Sequence, residues 1–568
     1  MVDPSTLDVL KDLKLPTNII DLLLLASNML CSNDYIPQND IRNFRIRGNE
    51  QIYVIMYKLI ANAYMKYQRA KLNGKNDAIE LPKNILISTL MKQHNINTAS
   101  VLNPLLELET MSSCTPKGIS GINLGDAYTL ELRTYHDSME GYLSGNSTPF
   151  SGSAGTARSI SYDPKIDHVR GYIRDVDKKE LNALNMLSPA ELVSPFTAAH
   201  SDPPRIAMMV SQSKHTVPVK VAHKQLLSSG TNKTMAFMLS NDFCFKAEKD
   251  GFVEEIDDVN KIVILKYVDG SNDAIDMKNS LVKNSNSGFY LNQEFYLAYK
   301  KGEKFKAGDV IAYNSAFFTG KGKNMDYLGG TLAKVAIASN DLCFEDATLM
   351  SETLSEKCST KVTMLKPVAL GPNAIIHNIC EIGDEVEVNG HLLDFTTSFN
   401  DENTAEFLQD LANKLGDEGL EVGNEFVKSK YHGQVVDIKI YYNVPFETLS
   451  PSLKKLIKKY EGKVAQRKEA LLSRNIKTNK IRLDPTEQQT TDKIAGDYYE
   501  GVLIQFYVEY YAPLAEGDKI SYSVALKGIL SKRTEENESP ISEYRPDEIV
   551  EGVIAASGVI GINLPHII

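Results

Sequence analysis

The chain has no tryptophan, only 8% aromatic residues, and six cysteines (Cys31, Cys114, Cys244, Cys343, Cys358 and Cys380) with no C-x-x-C pair among them. That scatter excludes a zinc ribbon and a disulfide framework and suits a reducing cytoplasm. No window approaches the run of about 18 apolar residues that a bilayer-crossing helix needs. The richest stretch, IIDLLLLA at 19–26, is too short, and MVDPSTLDVLKDLKLP has no basic segment leading into an apolar core. Neither export nor a membrane span is expected. There is no excess of positive charge either: 62 Lys and Arg against 73 Asp and Glu leave a net −11, which excludes a histone-like mode of binding. It does not exclude nucleic acid, because a basic channel can sit in an acidic protein.

Short signatures of common chemistries are also missing. There is no H-E-x-x-H, no G-x-S-x-G, no G-x-x-x-x-G-K-[ST], and no G-x-G-x-x-G after a strand, so a zinc protease, a serine hydrolase and a P-loop enzyme are excluded. GKGK at 320–323 could touch phosphate but reads better as a surface turn, and Asp175-Val176-Asp177 could ligate a hard cation but, followed by KKE, reads better as a solvated charged loop.

What is present is an ordinary globular balance, 24% charged and 42% hydrophobic, over 568 residues. At about 100–200 residues per domain this predicts about three to four domains. The first 110 residues are helical in texture, with Ile52, Ile55, Met56, Leu59, Ile60 and Tyr64 at helical spacing, which predicts an α-rich, core-forming segment. Residues 111–204 are dense in Ser, Gly, Pro and Thr and read as ordered loops and short strands. From 205 to about 350 the texture is β, as in KIVILKYV at 261–268 and FYLAYK at 295–300. A further β-like stretch runs to about 445, interrupted by an amphipathic helix near 403–416. Ser450 and Pro451 then offer an N-cap and a first helical residue to a long helix with Leu453, Leu456, Ile457, Tyr460, Val464 and Leu471 on one face. From 446 to 483 the chain carries eleven Lys and Arg against three Glu, which is either a solvated face or one that meets phosphate. Two alternating strands follow, GVLIQFYVEYY and, after the turn EGDK, ISYSVAL.

Three constellations hold candidate chemistry. In LCFEDATLMSE, Glu345 and Asp346 adjoin inside an apolar strand-like run; neighbouring strand side chains point to opposite faces, so both serve one site only at a turn or bulge. In GDKISYSVALKG, Lys519 and Lys527 lie eight apart across a turn, where two ammonium groups can neutralise phosphate oxygens together. In SPFTAAHSDPPRIAMMVSQSKHTVPV, His200, Asp202, Arg205, Lys214 and His215 crowd a Pro-rich entry to a helix, as in a lined groove.

In this order these segments resemble the second-largest (β) subunit of multisubunit DNA-directed RNA polymerases. Pro195, Phe196, His200, Asp202, Arg205, Met208, Val217 and Pro218 look like one signature of that family; FEDA at 344–347 is similar to its NFEDA, beside the incoming nucleotide; GDK at 517–519 with Lys527-Gly528 resembles its GDK…GNKG, including the spacing of two active-centre lysines. Weaker similarities are IRNFRIRGNEQ at 41–51, NPLLELE at 103–109, GYLSGNSTP at 141–149 and HGQVVDIKIY at 432–441. The giant tailed bacteriophages, with split and divergent β subunits, are the nearest in kind.

The resemblance implies a mixed α+β, multi-domain fragment: a helical and β fork and lobe-proximal region over 1–204, the first part of a double-psi β-barrel with an inserted β-sandwich over 205–362, a flap-like β/α insertion with the long basic helix over 363–499, and the second part of the barrel over 500–568. It implies nucleotidyl transfer from NTPs, with Lys519, Lys527, Glu345 and Asp346 catalytic and Arg205, His215, Lys214 and Asp202 on nucleotide or RNA. Mg²⁺ is held mainly by a β′-like chain bearing a D-F-D-G-D loop, with Glu345 and Asp346 reaching it indirectly. The implied partners are an N-terminal β fragment, that β′-like chain, a chain supplying the β C-terminal tail, a promoter-specificity factor, template DNA, nascent RNA and NTPs, in the cytoplasm of an infected bacterial host or packaged in the virion. The family's Arg-His-Gly-Asn between the two lysines reads Ser523, Val524, Ala525, Leu526 here, and the family's triphosphate-facing Arg is absent from GVIGIN. Those departures keep open an alternative, a non-catalytic polymerase-like scaffold or transcription regulator. Ser100 and Thr110 stand where the family's rifampicin pocket has Asp and His, which implies resistance to that drug.

Overall fold

A computed structural model describes residues 4–32, 37–44, 48–75, 79, 87–88, 91, 102–116, 130–149, 154–166, 171–193, 203–283, 288–338, 340–397, 424–484, 486, 493–494, 497–498, 500–522 and 526–560. The helix expected near 403–416 lies outside the described residues, as do Pro195, Phe196, Ser100 and the end of the chain from 561. The fold is mixed α+β and multi-domain, and the chain divides into two compact units: Met1–Ala99 with Glu109–Leu192 and His200–Ser211, and Ser100–Leu108 with Val193–Ala199 and Gln212–Ile568. No helix among the described residues is long and apolar enough to cross a membrane.

The first unit is α-rich at its start, with helices Pro4–Asp12, Ile19–Cys31 and Gly48–Leu72. The helices form where the periodicity puts them, and the expectation of a core-forming segment is met only in part: Ile41, Phe44 and Ile55 are buried, but much of the helical stripe is not. Ile52, Ile60 and Tyr64 are 44–50% exposed although Ile55 is buried, and Ile19–Cys31 buries none of its residues. An apolar stripe specifies a helix; burial needs a complementary neighbour, and the described residues of this unit cover Ile55 and half-cover Met56 and Leu59 but leave the rest of the stripe open. Packing is concentrated instead around Ile41, Phe44, Cys114, Met139, Tyr142 and Leu143. Glu191, fully buried nearby, accepts from Ser144 Oγ at 2.6 Å and the Ser188 amide at 2.5 Å, and burial pushes its carboxyl above the usual range.

In the second unit, a four-stranded sheet built on Gly251–Asp257, Ile262–Tyr267 and Asn272–Asp276 shares a core with a three-stranded one (Cys244–Lys246, Phe295–Leu297, Val310–Asn314); Phe245, Val253, Val263, Leu265, Tyr267, Phe305 and Ile311 fill it. A six-stranded sheet centres on Thr360–Leu370, Gly433–Tyr442 and Val502–Ala512, and the helix Pro451–Leu472 packs on it through Leu453, Leu456 and Ile457. Ser450 Oγ accepts from the Leu453 amide and Pro451 takes the first turn, as the sequence predicts. Of the eleven cations at 446–483, five meet carboxylates elsewhere in the chain: Lys459 with Glu381, Arg467 and Arg482 with Asp276, Arg474 with Glu255, and Lys480 with Asp273. The far end of this helix is thus fastened to the four-stranded sheet, where Leu471, Ile476 and Ile481 pack on Ile262 and Ile264.

The sheet that positions the candidate site has five strands: β1 (Val335–Ile337), β2 (Ala347–Ser351), β3 (Lys519–Tyr522), β4 (Leu526–Thr534) and β5 (Gly552–Ile554), in the order β1-β5-β2-β4-β3. β1 runs parallel to β5 and β2 parallel to β4, while β2–β5 and β4–β3 are antiparallel. Its strands come from two stretches nearly two hundred residues apart, so neither stretch closes this sheet alone. The segment ISYSVAL, read as one strand, falls on two: Tyr522 ends β3 and pairs with Leu526, the first residue of β4.

Candidate active site

β3 and β4 form an antiparallel hairpin with the register Lys519↔Ile529, Ile520↔Gly528, Ser521↔Lys527 and Tyr522↔Leu526. Paired residues share a face and the face alternates along each strand, so Lys519, Ser521, Lys527 and Ile529 project to one side, while Ile520, Gly528 and Leu530 turn inward. Burial agrees: Lys519, Ser521, Lys527 and Ile529 are exposed, and Gly528 and Leu530 buried. The two lysines are diagonal neighbours, a relation that sets backbones about 7–8 Å apart, within reach of two long side chains meeting one polyphosphate. Neither has an ion-pair partner among the described residues.

On the other side of β4, Ala347 pairs with Ile529 in the parallel ladder. The two residues before Ala347, Glu345 and Asp346, line a pocket with Lys527. Glu345 and Asp346 do occupy a turn, the condition that adjacency imposed: Glu345 takes φ +52°, and the Ala347 amide closes the turn on Phe344 O at 3.0 Å. Positive φ at a non-glycine residue is strained and is held only where its surroundings fix it. Here the Ile529 amide donates to Asp346 O at 2.7 Å, and Gly558 lets Glu345 O approach so closely that a Cβ there would stand 2.9 Å from it. Glu345, Asp346, Thr348, Tyr522, Lys527 and Gly528 line one shallow pocket of about 10 Å³, room for one water.

Lys214 and His215 lie on the turn that ends the helix Pro203–Ser213. Asn103 holds that turn by donating to Ser213 O at 3.1 Å and Thr216 O at 2.7 Å, while its own Oδ1 caps the helix Pro104–Ser112 at the Leu105 amide. Ser521, on the lysine face, donates to Gln212 Oε1 at 2.9 Å, so the Lys214–His215 turn begins beside the hairpin. Arg205 sits half-exposed on the same helix, which buries Met208. Asp202 and His200 lie outside the described residues. The structure therefore brings Lys527, Glu345 and Asp346 together around one pocket and sets Lys519 one diagonal step from Lys527 on the hairpin. Sequence reading missed Tyr522 and Thr348, which carried no local signal; Gly528 and Asn103 lay inside quoted motifs without a role of their own, although an Asn-Pro step at 103–104 signals a helix start.

Among the described residues no three His, Cys, Asp or Glu side chains converge as a metal-binding set. Two adjacent carboxylates on a turn do not make a magnesium site, for such an ion prefers six oxygens in octahedral array.

Comparison with known proteins gives two independent similarities. A family model described as Bacteriophage RNA polymerase matches residues 1–125. The chain is 26% identical over 314 residues to the DNA-directed RNA polymerase subunit beta of Alkaliphilus oremlandii (strain OhILAs), covering 50% of this chain and 24% of the relative. It is 25% identical over 316 residues to that of Alkaliphilus metalliredigens (strain QYMF), covering 51% and 24%, and 27% identical over 232 residues to that of Clostridium novyi (strain NT), covering 38% and 17%. The chain thus spans about a quarter or less of the length of these relatives. It is distantly related to bacterial RNA polymerase β subunits and, over its first 125 residues, similar to a phage RNA polymerase family.

Proposed function

We propose that the chain is a β-subunit portion of a multisubunit DNA-dependent RNA polymerase and forms one side of its active centre. The observation that carries this reading is the pocket that Lys527 shares with Glu345 and Asp346, with Lys519 one diagonal step away on the hairpin, built from strands far apart in sequence, in a chain similar to polymerase β subunits. The mixed five-stranded sheet, with strands drawn from both stretches assigned to it, supports the expectation of a double-psi barrel.

In the proposed reaction the RNA 3′ hydroxyl attacks the α-phosphate of an NTP, forming the new P–O bond as pyrophosphate leaves. The work of the protein is positioning and charge neutralisation, with no covalent intermediate. Lys519 and Lys527 neutralise charge that builds on the reacting phosphates, in keeping with their exposure and with the lack of an ion-pair partner among the described residues. Lys214 and His215 hold RNA or nucleotide at the turn that Asn103 fixes, and Arg205 and Asp202 belong to the same signature. Mg²⁺, when bound, neutralises the attacking and leaving oxygens. Its ligands come from a β′-like partner; Glu345 and Asp346 act on its hydration shell or orient the lysines. The enzyme works in the cytoplasm of an infected bacterium or from the virion, with other chains completing the β body and recognising promoters.

A second reading, a non-catalytic scaffold or regulator, is favoured by Leu526, an apolar side chain that lines the pocket beside Lys527. Primer extension on an RNA–DNA scaffold by the assembled complex separates the two: extension supports the enzyme, and a stable, nucleic-acid-binding complex that makes no RNA supports the scaffold.

A further inference from the structure

Tyr522 ends β3 on the inward side of the hairpin, with its phenol largely buried. Its hydroxyl lies 3.0 Å from Thr348 Oγ1, and Thr348 Oγ1 lies 2.7 Å from Val553 O. The Val553 carbonyl can only accept, so Thr348 donates to it and Tyr522 donates to Thr348. β3 and β2 are not neighbours, since β4 runs between them. The phenol therefore spans β4 to reach β2 and β5, and two glycines make the room. A Cβ on Gly552 would stand 2.9 Å from the Tyr522 hydroxyl oxygen and 3.2 Å from its ring, and one on Gly528 would stand 3.1 Å from Asp346 O and 3.2 Å from Thr348 Cγ2. Thr348 is the second residue after Asp346, and Tyr522 the third after Lys519.

We infer that Tyr522 is a positioning residue, whose hydroxyl locks the acidic turn of β2 in register with the two-lysine hairpin of β3 and β4. The inference rests on the polymerase reading and deepens it. Without the bond β4 keeps its ladder to β2, but β3 loses its tie across β4 and is held by the hairpin ladder alone, so Lys519 drifts relative to Lys527, Glu345 and Asp346. A buried three-strand relay of this kind acts as a unit, and its members couple.

The test uses the assembled enzyme, purified with this chain in full, on a primed RNA–DNA scaffold. Tyr522→Phe keeps the ring over Gly552 and removes the hydroxyl; Thr348→Val removes both bonds of the relay; Thr348→Ser restores them. Tyr522→Phe and Thr348→Val each lower kcat about tenfold with KM for NTP within about twofold, a loss of transition-state positioning and not of binding. The double variant is no slower than either single one, and Thr348→Ser extends at near the wild-type rate. Full-rate extension by Tyr522→Phe, multiplied losses in the double variant, or a change in KM alone overturns the positioning role. No extension by the wild-type assembly overturns the polymerase reading itself, and Tyr522's role with it.

Discussion

Replacing Lys527 with alanine tests the shared pocket most sharply, because the structure separates its expected effects on stability and on activity. Lys527 is exposed on β4 and makes no ion pair among the described residues, so its removal leaves no buried charge and no cavity. Surface substitutions of that kind change stability by no more than about 0.5 kcal/mol. Against a phosphate the same ammonium matters far more: a unit charge pair at about 4 Å is worth about 4 kcal/mol gross at an effective dielectric near 20. Salt and solvent reduce this, and removal of one pre-placed charge-stabilising donor from an active site costs about 10²–10³ in rate. Lys527→Ala is therefore expected to lower single-nucleotide extension about 100-fold, with unchanged assembly and an unchanged melting temperature. Lys519→Ala, one diagonal step away, behaves alike, and Lys527→Arg keeps part of the rate because the charge survives without the point geometry. The assay is quench-flow extension of a scaffold primer beside differential scanning fluorimetry. Wild-type extension by Lys527→Ala would refute the reasoning, as would a collapse of assembly.

Further expectations concern the frame around the site. Arg467→Met is expected to destabilise the chain by about 2–3 kcal/mol in urea unfolding, since its 2.7 Å pair with Asp276 is only 12–13% exposed, although Asp276 keeps the Arg482 amide; Lys459→Ala, in an exposed pair with Glu381, costs under about 1 kcal/mol. Equal costs would contradict the fastening role of the helix end. Burial would raise the carboxyl of Glu551, but Lys357 at 2.5 Å, the Lys334 amide at 3.0 Å and their charges outweigh it, leaving the group below its usual range. Its stabilising contribution is then complete above the unfolded value of about 4.3 and is lost as pH falls through the lowered folded value, so the stability gap between wild type and Glu551→Gln narrows below about pH 4. A gap independent of pH in acid unfolding curves would argue against it. RNA synthesis is expected to persist at rifampicin doses that stop bacterial polymerases; inhibition at those doses would contradict the reading of Ser100 and Thr110.

Much of the local structure was legible because local chemistry decides it. Ser450-Pro451 starts a helix wherever it sits in the chain, and KIVILKYV forms a strand from its β-branched residues. At Glu345-Asp346 the sequence set only a condition, a turn or a bulge if both carboxylates were to serve one site, inside a run that read as strand-like; the turn meets it. The failures are non-local. Ile52, Ile60 and Tyr64 make a good helical stripe, but whether a stripe is covered depends on what packs against it. The eleven cations at 446–483 looked like one basic face because their partners, Glu255, Asp273, Asp276 and Glu381, lie 65 or more residues upstream. Tyr522 read as an ordinary strand aromatic, and its bond across β4 depends on glycines at 528 and 552 that no spacing rule connects.

The central claim is that this chain supplies one wall of a polymerase active centre. Its most direct test is native purification of the tagged chain from infected or co-expressing cells, followed by extension of a primed RNA–DNA scaffold with NTPs and Mg²⁺. The account predicts co-purification of a chain bearing D-F-D-G-D and template-directed RNA extension. A stable complex that binds the scaffold and never extends the primer would contradict it.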